Sequence, residues 1–184
     1  MNRIARWGFA LALVPMAACT SNNVSPMAAT VPEPAAAAPT VNPVDQQFAM
    51  QAAASDQFEI QSSQVALQKS HNRRVREFAQ RMIDAHTQTT QQLSQIASSK
   101  GMALQPVLQP EQQKMLSDLQ GMDGGRAFDR AYLNDQVTGH SAAVTLFQNE
   151  IANGQDPQIK AFAQQTLPII QDHLRMARSL GGRG

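Results

Sequence analysis

Three stretches of this chain place their apolar residues at alternating steps of four and three, a spacing that only an amphipathic α-helix turns into one face. Val75, Ala79, Met82, His86, Thr89, Leu93 and Ile96 make the first stripe. Leu133, Val137, His140, Val144, Phe147 and Ile151 make the second, and Ile159, Phe162, Thr166, Ile170, His173, Ala177 and Leu180 the third. An earlier segment carries a more polar version, Phe48, Ala52, Ser55, Glu59, Ser62 and Ala66, flanked by Ile60 and Leu67. Each stripe has to be buried against another, so the chain is all-α.

Helix-end signals agree with the stripes. Asn72 can cap the second helix and Gly101 end it; Asp156-Pro157 pairs an N-cap with proline at the first helical position, and Gly181 closes the last helix. Pro106, Pro110 and Gly124-Gly125 bracket a short amphipathic stretch, Glu111 to Met122. Four long helices are therefore predicted at about 45–70, 72–100, 125–153 and 157–180, with a short one between the second and third. The segment Val75-Arg76-Glu77-Phe78-Ala79-Gln80 recurs 84 residues later as Ile159-Lys160-Ala161-Phe162-Ala163-Gln164, and the same offset pairs Phe48 with Tyr132 and Asn72 with Asp156. Two related hairpins joined by a long crossover give a ferritin-like four-helix bundle with a short helix in that crossover.

The N-terminal residues belong to something else. Arg3 and Arg6 precede the apolar run Trp7 to Val14, and small residues then lead to Cys19, the only cysteine. Charge, a short apolar core and small residues are the secretory pattern. Met16-Ala17-Ala18-Cys19 resembles the bacterial lipobox, which implies lipidation of Cys19 and a membrane contact through that lipid. Thr20 and Ser21 follow, with no Asp beside the cysteine, so the periplasmic side of the outer membrane is the expected location, or the periplasm if the lipid is absent. Five prolines between Thr20 and Val44 make an extended tether. The expected organisation is a lipoprotein-type signal peptide at 1–19, a tether at 20–44 and a bundle domain at 45–184.

Without the first 19 residues, which hold two of the 15 basic residues and none of the 14 acidic ones, the net charge is −1. That excludes the basic footprint of a nucleic-acid binder. No nucleophile–base motif or phosphate-binding glycine loop is present, so the sequence leans away from an enzyme. It names no protein partner.

Of four histidines, His71 falls at the break between the first two helices and reads as a solvated turn residue, whereas His86, His140 and His173 all fall on core stripes. At 1.5 Å per residue these three and Glu59 reach the middle layers of a bundle about 40 Å long, with Asp56 one turn from Glu59. Imidazoles and a carboxylate suit a transition ion such as Fe, Zn, Mn or Cu. The same residues also suit a buried cluster that satisfies its own hydrogen bonds. The residues three before His86 and His173 are Ile83 and Ile170, so the Glu-x-x-His pairs of di-iron bundles are missing.

Phe58-Glu59-Ile60, the run Phe78 to Thr87, Phe128-Asp129-Arg130-Ala131-Tyr132, and Leu167-Pro168 with Asp172-His173-Leu174 together resemble an exported bacterial family catalogued as domain of unknown function 4142, often placed in the ferritin-like superfamily. The resemblance spans roughly 45–180 and implies the fold and an envelope location, without an activity. Members commonly carry an acidic residue before the second-helix histidine, where this chain has Ala85. Two functional expectations follow: a non-catalytic envelope or stress-related protein, or a metal-binding or oxidoreductase bundle using Glu59, His86, His140 and His173.

Overall fold

The computed structural model describes residues 41–182, so the signal segment, Cys19 and most of the tether lie outside the described residues. Five helices and no strand are found among them: α1 (Pro43–Lys69), α2 (Arg73–Ser99), α3 (Pro110–Gly121), α4 (Arg126–Asn153) and α5 (Pro157–Gly181). Helix α1 starts at Pro43 because Asn42 caps it, accepting from the backbone N–H groups of Val44 and Asp45, with proline just inside. Asn72 and Asp156 cap α2 and α5 in the same way. Gly101, at φ 69°, takes the left-handed turn that ends α2, and Gly181 is the last residue of α5, with Gly182 as its cap.

Helices α1 and α2 form one antiparallel hairpin and α4 and α5 the other; α1 packs on α4 and α2 on α5. The crossover returns along the bundle through α3, which lies against α1 and α4. Helix α1 is thus covered from three sides, and its buried positions run around most of its circumference: Ala52, Ala53 and Ala54, then Asp56, Phe58 and Glu59, then Ser62 and Ser63. Small side chains let the neighbours approach closely, so the segment lacks the two-faced pattern of α2 and α5.

The two hairpins are tied at both ends by the same device. Asp45, buried near the start of α1, accepts from the backbone N–H groups of Gln155 and Asp156 in the α4–α5 turn, at 2.9 and 3.1 Å. Asp129, 84 residues later near the start of α4, accepts from the Ser70 hydroxyl in the α1–α2 turn at 2.6 Å. Arg76 turns back to the Leu67 and Ser70 carbonyls at the end of α1, and Arg73 pairs with Glu77 at 3.3 Å. These contacts offset the cost of a basic run at a helix start.

The core has two apolar clusters. One, at the α4–α5 turn end, contains Phe48, Leu93, Phe147, Ile159, Phe162 and Ile170. Its aromatic rings meet at centroid distances of 4.9 to 6.4 Å, contacts worth about 0.5–1.5 kcal/mol each beyond their buried area. The other, at the opposite end, contains Phe58, Val75, Phe78, Met82, Phe128 and Tyr132. Between them lies a polar layer: Asp56 and Glu59, His86 and Thr89, Gln136 and His140, Thr166 and His173, two residues from each long helix, all buried.

Candidate metal centre

Helix register builds the polar layer. His86 follows Met82 and Ala79 on the α2 stripe, His140 lies one turn after Gln136 on α4, and His173 follows Ile170 and Thr166 on α5. Three helices therefore point one imidazole each at the bundle axis. The rings form a near-equilateral triangle, with centroids 5.5, 5.4 and 5.4 Å apart. One ring nitrogen from each lies within 4.8 Å of the other two.

Two of the three rings are held from behind. His86 Nδ1–H donates to Asp56 Oδ1 at 2.7 Å. The other Asp56 oxygen accepts from the hydroxyls of Thr89 and Thr90 at 2.8 and 3.0 Å. His140 Nδ1–H donates to the Gln136 carbonyl at 2.9 Å, with Glu59 Oε1 at 3.5 Å on the same side. A carbonyl can only accept, so the Nδ1 proton is fixed, and in the neutral ring the Nε2 lone pair faces inward. Nε2 of His86, Nε2 of His140 and Nδ1 of His173 are all buried without a partner among the described residues.

Charge in this layer is uneven. Burial, with His86 and His173 close by, holds His140 well below the usual histidine range. Burial, His86 and the Arg81 guanidinium push His173 down to about 3. Burial also opposes a charge on His86, but the hydrogen bond and charge of Asp56, aided by Glu59, outweigh it and raise this ring above the usual value. Glu59 is raised to about 7 by burial, against the pull of His86 and the Gln136 amide. Glycine at 139 makes room for it: a Cβ there would stand 2.7 Å from Glu59 Oε1.

An ion about 2.0–2.1 Å from three nitrogens sets them about 3.3–3.5 Å apart. The 4.8 Å limit leaves at most about 1.5 Å of closure, within the reach of small χ rotations. The donor set fits one transition ion held by imidazole, with Asp56 in the outer role that orients metal-bound histidines. It does not fit a di-iron centre, because Ile83 and Ile170 stand where the Glu-x-x-His carboxylates would be and no bridging carboxylate joins the three rings.

The structure brings His86, His140 and His173 together and places Glu59 beside them, at the Nδ1 side of His140. His71 is exposed in the α1–α2 turn. Asp84 and Asp172 are exposed as well, off the histidine faces. Thr89, Thr90 and Gln136 complete the layer; Thr89 lay on the α2 stripe, but nothing in a linear sequence joins it to Asp56 across 33 residues.

The sequence profile of Domain of unknown function (DUF4142) matches residues 30–180, and the chain belongs to that family. Searching curated proteins by sequence finds no match. Among solved structures, a DUF305 fragment from Deinococcus radiodurans superimposes with a TM-score of 0.71 at 18% identity, over 79% of this chain and 100% of that one. CopM in its Cu(I)-bound form gives 0.62 at 16%, over 73% and 93%. A dodecameric thioferritin from Bacteroides fragilis gives 0.54 at 20%, over 74% and 82%. These likenesses establish a ferritin-like all-α bundle.

Proposed function

We propose that this protein binds one transition-metal ion between His86, His140 and His173, and that copper(I) is the ion the site suits best. The observation that carries the reading is a set of orphaned ring nitrogens in this cluster: Nε2 of His86, Nε2 of His140 and Nδ1 of His173, buried without partners among the described residues. A merely structural histidine cluster satisfies its polar atoms internally, because each unpaired buried polar atom costs about 1–3 kcal/mol. Here Nδ1 of His86 and of His140 has a partner and Nε2 of each has none, the arrangement a ligated ion requires, and both Glu59 oxygens in the same layer are unpaired as well.

The choice of copper(I) follows from the donor count. Three imidazoles without a thiolate complete a trigonal shell, which a monovalent d10 ion accepts and Zn(II) extends with a fourth ligand. The Asp56 carboxylate behind His86 balances a single positive charge. Structures of CopM, a similar bundle, with Cu(I), Ag and Cu(II) support copper as the element, and the preference for its monovalent state rests on the donor count alone. The protein would act as a metal-holding protein of the envelope, not as a di-iron oxidase. Its export through residues 1–19 and anchoring through a lipid on Cys19 are supported by the sequence pattern; mass analysis of the mature N-terminus, with Cys19→Ala as control, tests that part.

Metal analysis of protein purified without a histidine tag, before and after anaerobic Cu(I) titration, tests the site. One equivalent is expected in the parent and almost none in His86→Ala or His140→Ala. A protein that takes up no ion and melts cooperatively would refute the reading.

A further inference from the structure

The three histidines differ in their surroundings. His86 and His140 are both held from behind at Nδ1. His173 belongs to the buried triangle and also lines an open cleft of about 470 Å³ between α2 and α5. No carboxylate or carbonyl anchors its buried Nδ1. It is the member of the buried triangle that lines this cleft.

Met176 lies one helical turn beyond it. Residues at i and i+3 share a helix face. The half-buried Met176 side chain packs on the apolar cluster containing Phe78 and Tyr132 and also lines the cleft. Asp172 and Arg175 pair with each other at the cleft wall and largely cancel. Arg81 remains as the cation whose field reaches His173. A guanidinium repels an approaching cation in proportion to its charge, so a dication is opposed about twice as strongly as a monocation. A thioether is a soft donor and adds to the same preference.

We infer that the α2/α5 cleft is the port of the buried site, and that Met176 and His173 form a two-donor capture site there for a soft monovalent cation, Cu(I) or Ag(I). The ion binds the Met176 sulfur and His173 at the mouth, and rotation of the unanchored His173 ring carries it to His86 and His140. No oxidation or reduction is involved; coordinate bonds are exchanged, and the metal leaves the sulfur as it gains two imidazoles. This inference rests on the metal reading above only for the ion's destination.

The probe is Ag(I), which is diamagnetic and stable in air, added to the full mature chain labelled with 13C at its methionine methyl groups. The Met176 signal is identified by its loss in Met176→Leu, a volume-conserving change at a half-buried position. With Ag(I) in excess of one equivalent, the Met176 methyl and the His173 ring signals are expected to shift together. In stopped-flow transfer from a chromophoric chelator, Met176→Leu should take up Cu(I) about tenfold more slowly, a change of about 1.4 kcal/mol in the transfer barrier. Zn(II) uptake should be unchanged, and Arg81→Gln should speed Zn(II) uptake more than Cu(I) uptake. A Met176 methyl that stays fixed throughout the titration, or parent-rate Cu(I) uptake by Met176→Leu, would overturn the port. If Met176 and His173 respond while His86 and His140 do not, the capture site stands and the buried triad reading fails.

Discussion

Asp56 holds His86 in the candidate metal centre, and a graded pair of substitutions measures what that hold contributes. Its carboxylate accepts from His86 Nδ1 at 2.7 Å and Thr89 Oγ1 at 2.8 Å, both buried, and from the half-buried Thr90 Oγ1 at 3.0 Å. Hydrogen bonds to a charged group contribute about 1.5–3 kcal/mol each. Asp56→Asn keeps an oxygen for His86 and turns an amide toward the two hydroxyls, which can rotate to accept. It loses the charge but not the geometry, so we expect a stability loss of about 2–3 kcal/mol. Asp56→Ala also releases the ring and leaves the His86 and Thr90 donors unmatched, while Thr89 keeps its bond to the His86 carbonyl at 3.1 Å, for about 3–5 kcal/mol. Removal of an outer-shell partner weakens metal binding 10- to 100-fold. The asparagine variant should sit near tenfold and the alanine variant near a hundredfold, measured by Cu(I) competition against a chromophoric chelator, with thermal melts alongside. Equal affinities for Asp56→Asn, Asp56→Ala and the parent would show that Asp56 does not orient His86 for a metal.

Three further perturbations test the frame around the site. Burial and the Asp45 carboxyl hold Glu150 near 8, above its ordinary 4.5, so its stabilising contribution is whole below about pH 4.5 and is lost as pH rises through about 8; the always-neutral Glu150→Gln should match the parent at pH 4.5 and exceed it by about 1–3 kcal/mol at pH 9, a value discounted for screening at the bundle end, and parallel profiles of Tm against pH would contradict this. Gly139→Ala drives a Cβ to 2.7 Å from Glu59 Oε1 and should cost about 1–3 kcal/mol in urea melts, with much of that loss recovered when Glu59→Ala is combined with it; strict additivity would mean the two do not meet. Asp45→Ala leaves the N–H groups of Gln155 and Asp156 unmatched, whereas Asp129→Ala frees a single Ser70 hydroxyl, so the first should lower stability by about 2–4 kcal/mol and the second by about half as much.

Helix count, order and ends were legible because each depends on local chemistry. The α2 and α5 stripes coincide with burial nearly residue for residue, with only Ile96 and Leu180 half-exposed. On α4 Leu133, His140 and Phe147 of the stripe are buried, but the other half of the buried face lies one residue earlier than the stripe suggests. Val137, Val144 and Ile151 are half-buried, while Gln136, Ala143 and Glu150 are buried. Two polar residues sit at core positions there, and a reading by hydrophobicity turns the helix away from them. Asp45, Asp129 and Ser70 were hidden for the same reason, since a buried polar residue is recognised only by the partner that satisfies it. The three histidines were visible as polar interruptions of apolar stripes. That they converge on one layer depended on antiparallel packing bringing the right heights together, which register gives only to about a turn. The split between rings held from behind and a ring open to a cleft is tertiary, and no pattern along the chain carries it.

The 84-residue repeat bears on why the proposed centre would take one ion and not two. Applied to the polar layer, the offset pairs Asp56 with His140, Thr89 with His173, His86 with Ile170 and Glu59 with Ala143. The Asp56–Thr89 hydrogen bond in the first hairpin and the His140–His173 ring contact in the second therefore occupy equivalent places. A symmetric filling of these places would give each hairpin the same donors, and so two equal half-sites facing across the axis, as di-iron bundles have. This chain fills them unequally. The first hairpin supplies one candidate ligand, His86, with the carboxylate that holds it; the second supplies two candidates and puts apolar Ile170 and Ala143 where the mates of His86 and Glu59 would be. Three nitrogens then face one point, and the carboxylates lie outside them. The repeat in the sequence is not matched by the chemistry of this layer, and under the proposed reading that inequality leaves one set of nitrogen donors for a single ion.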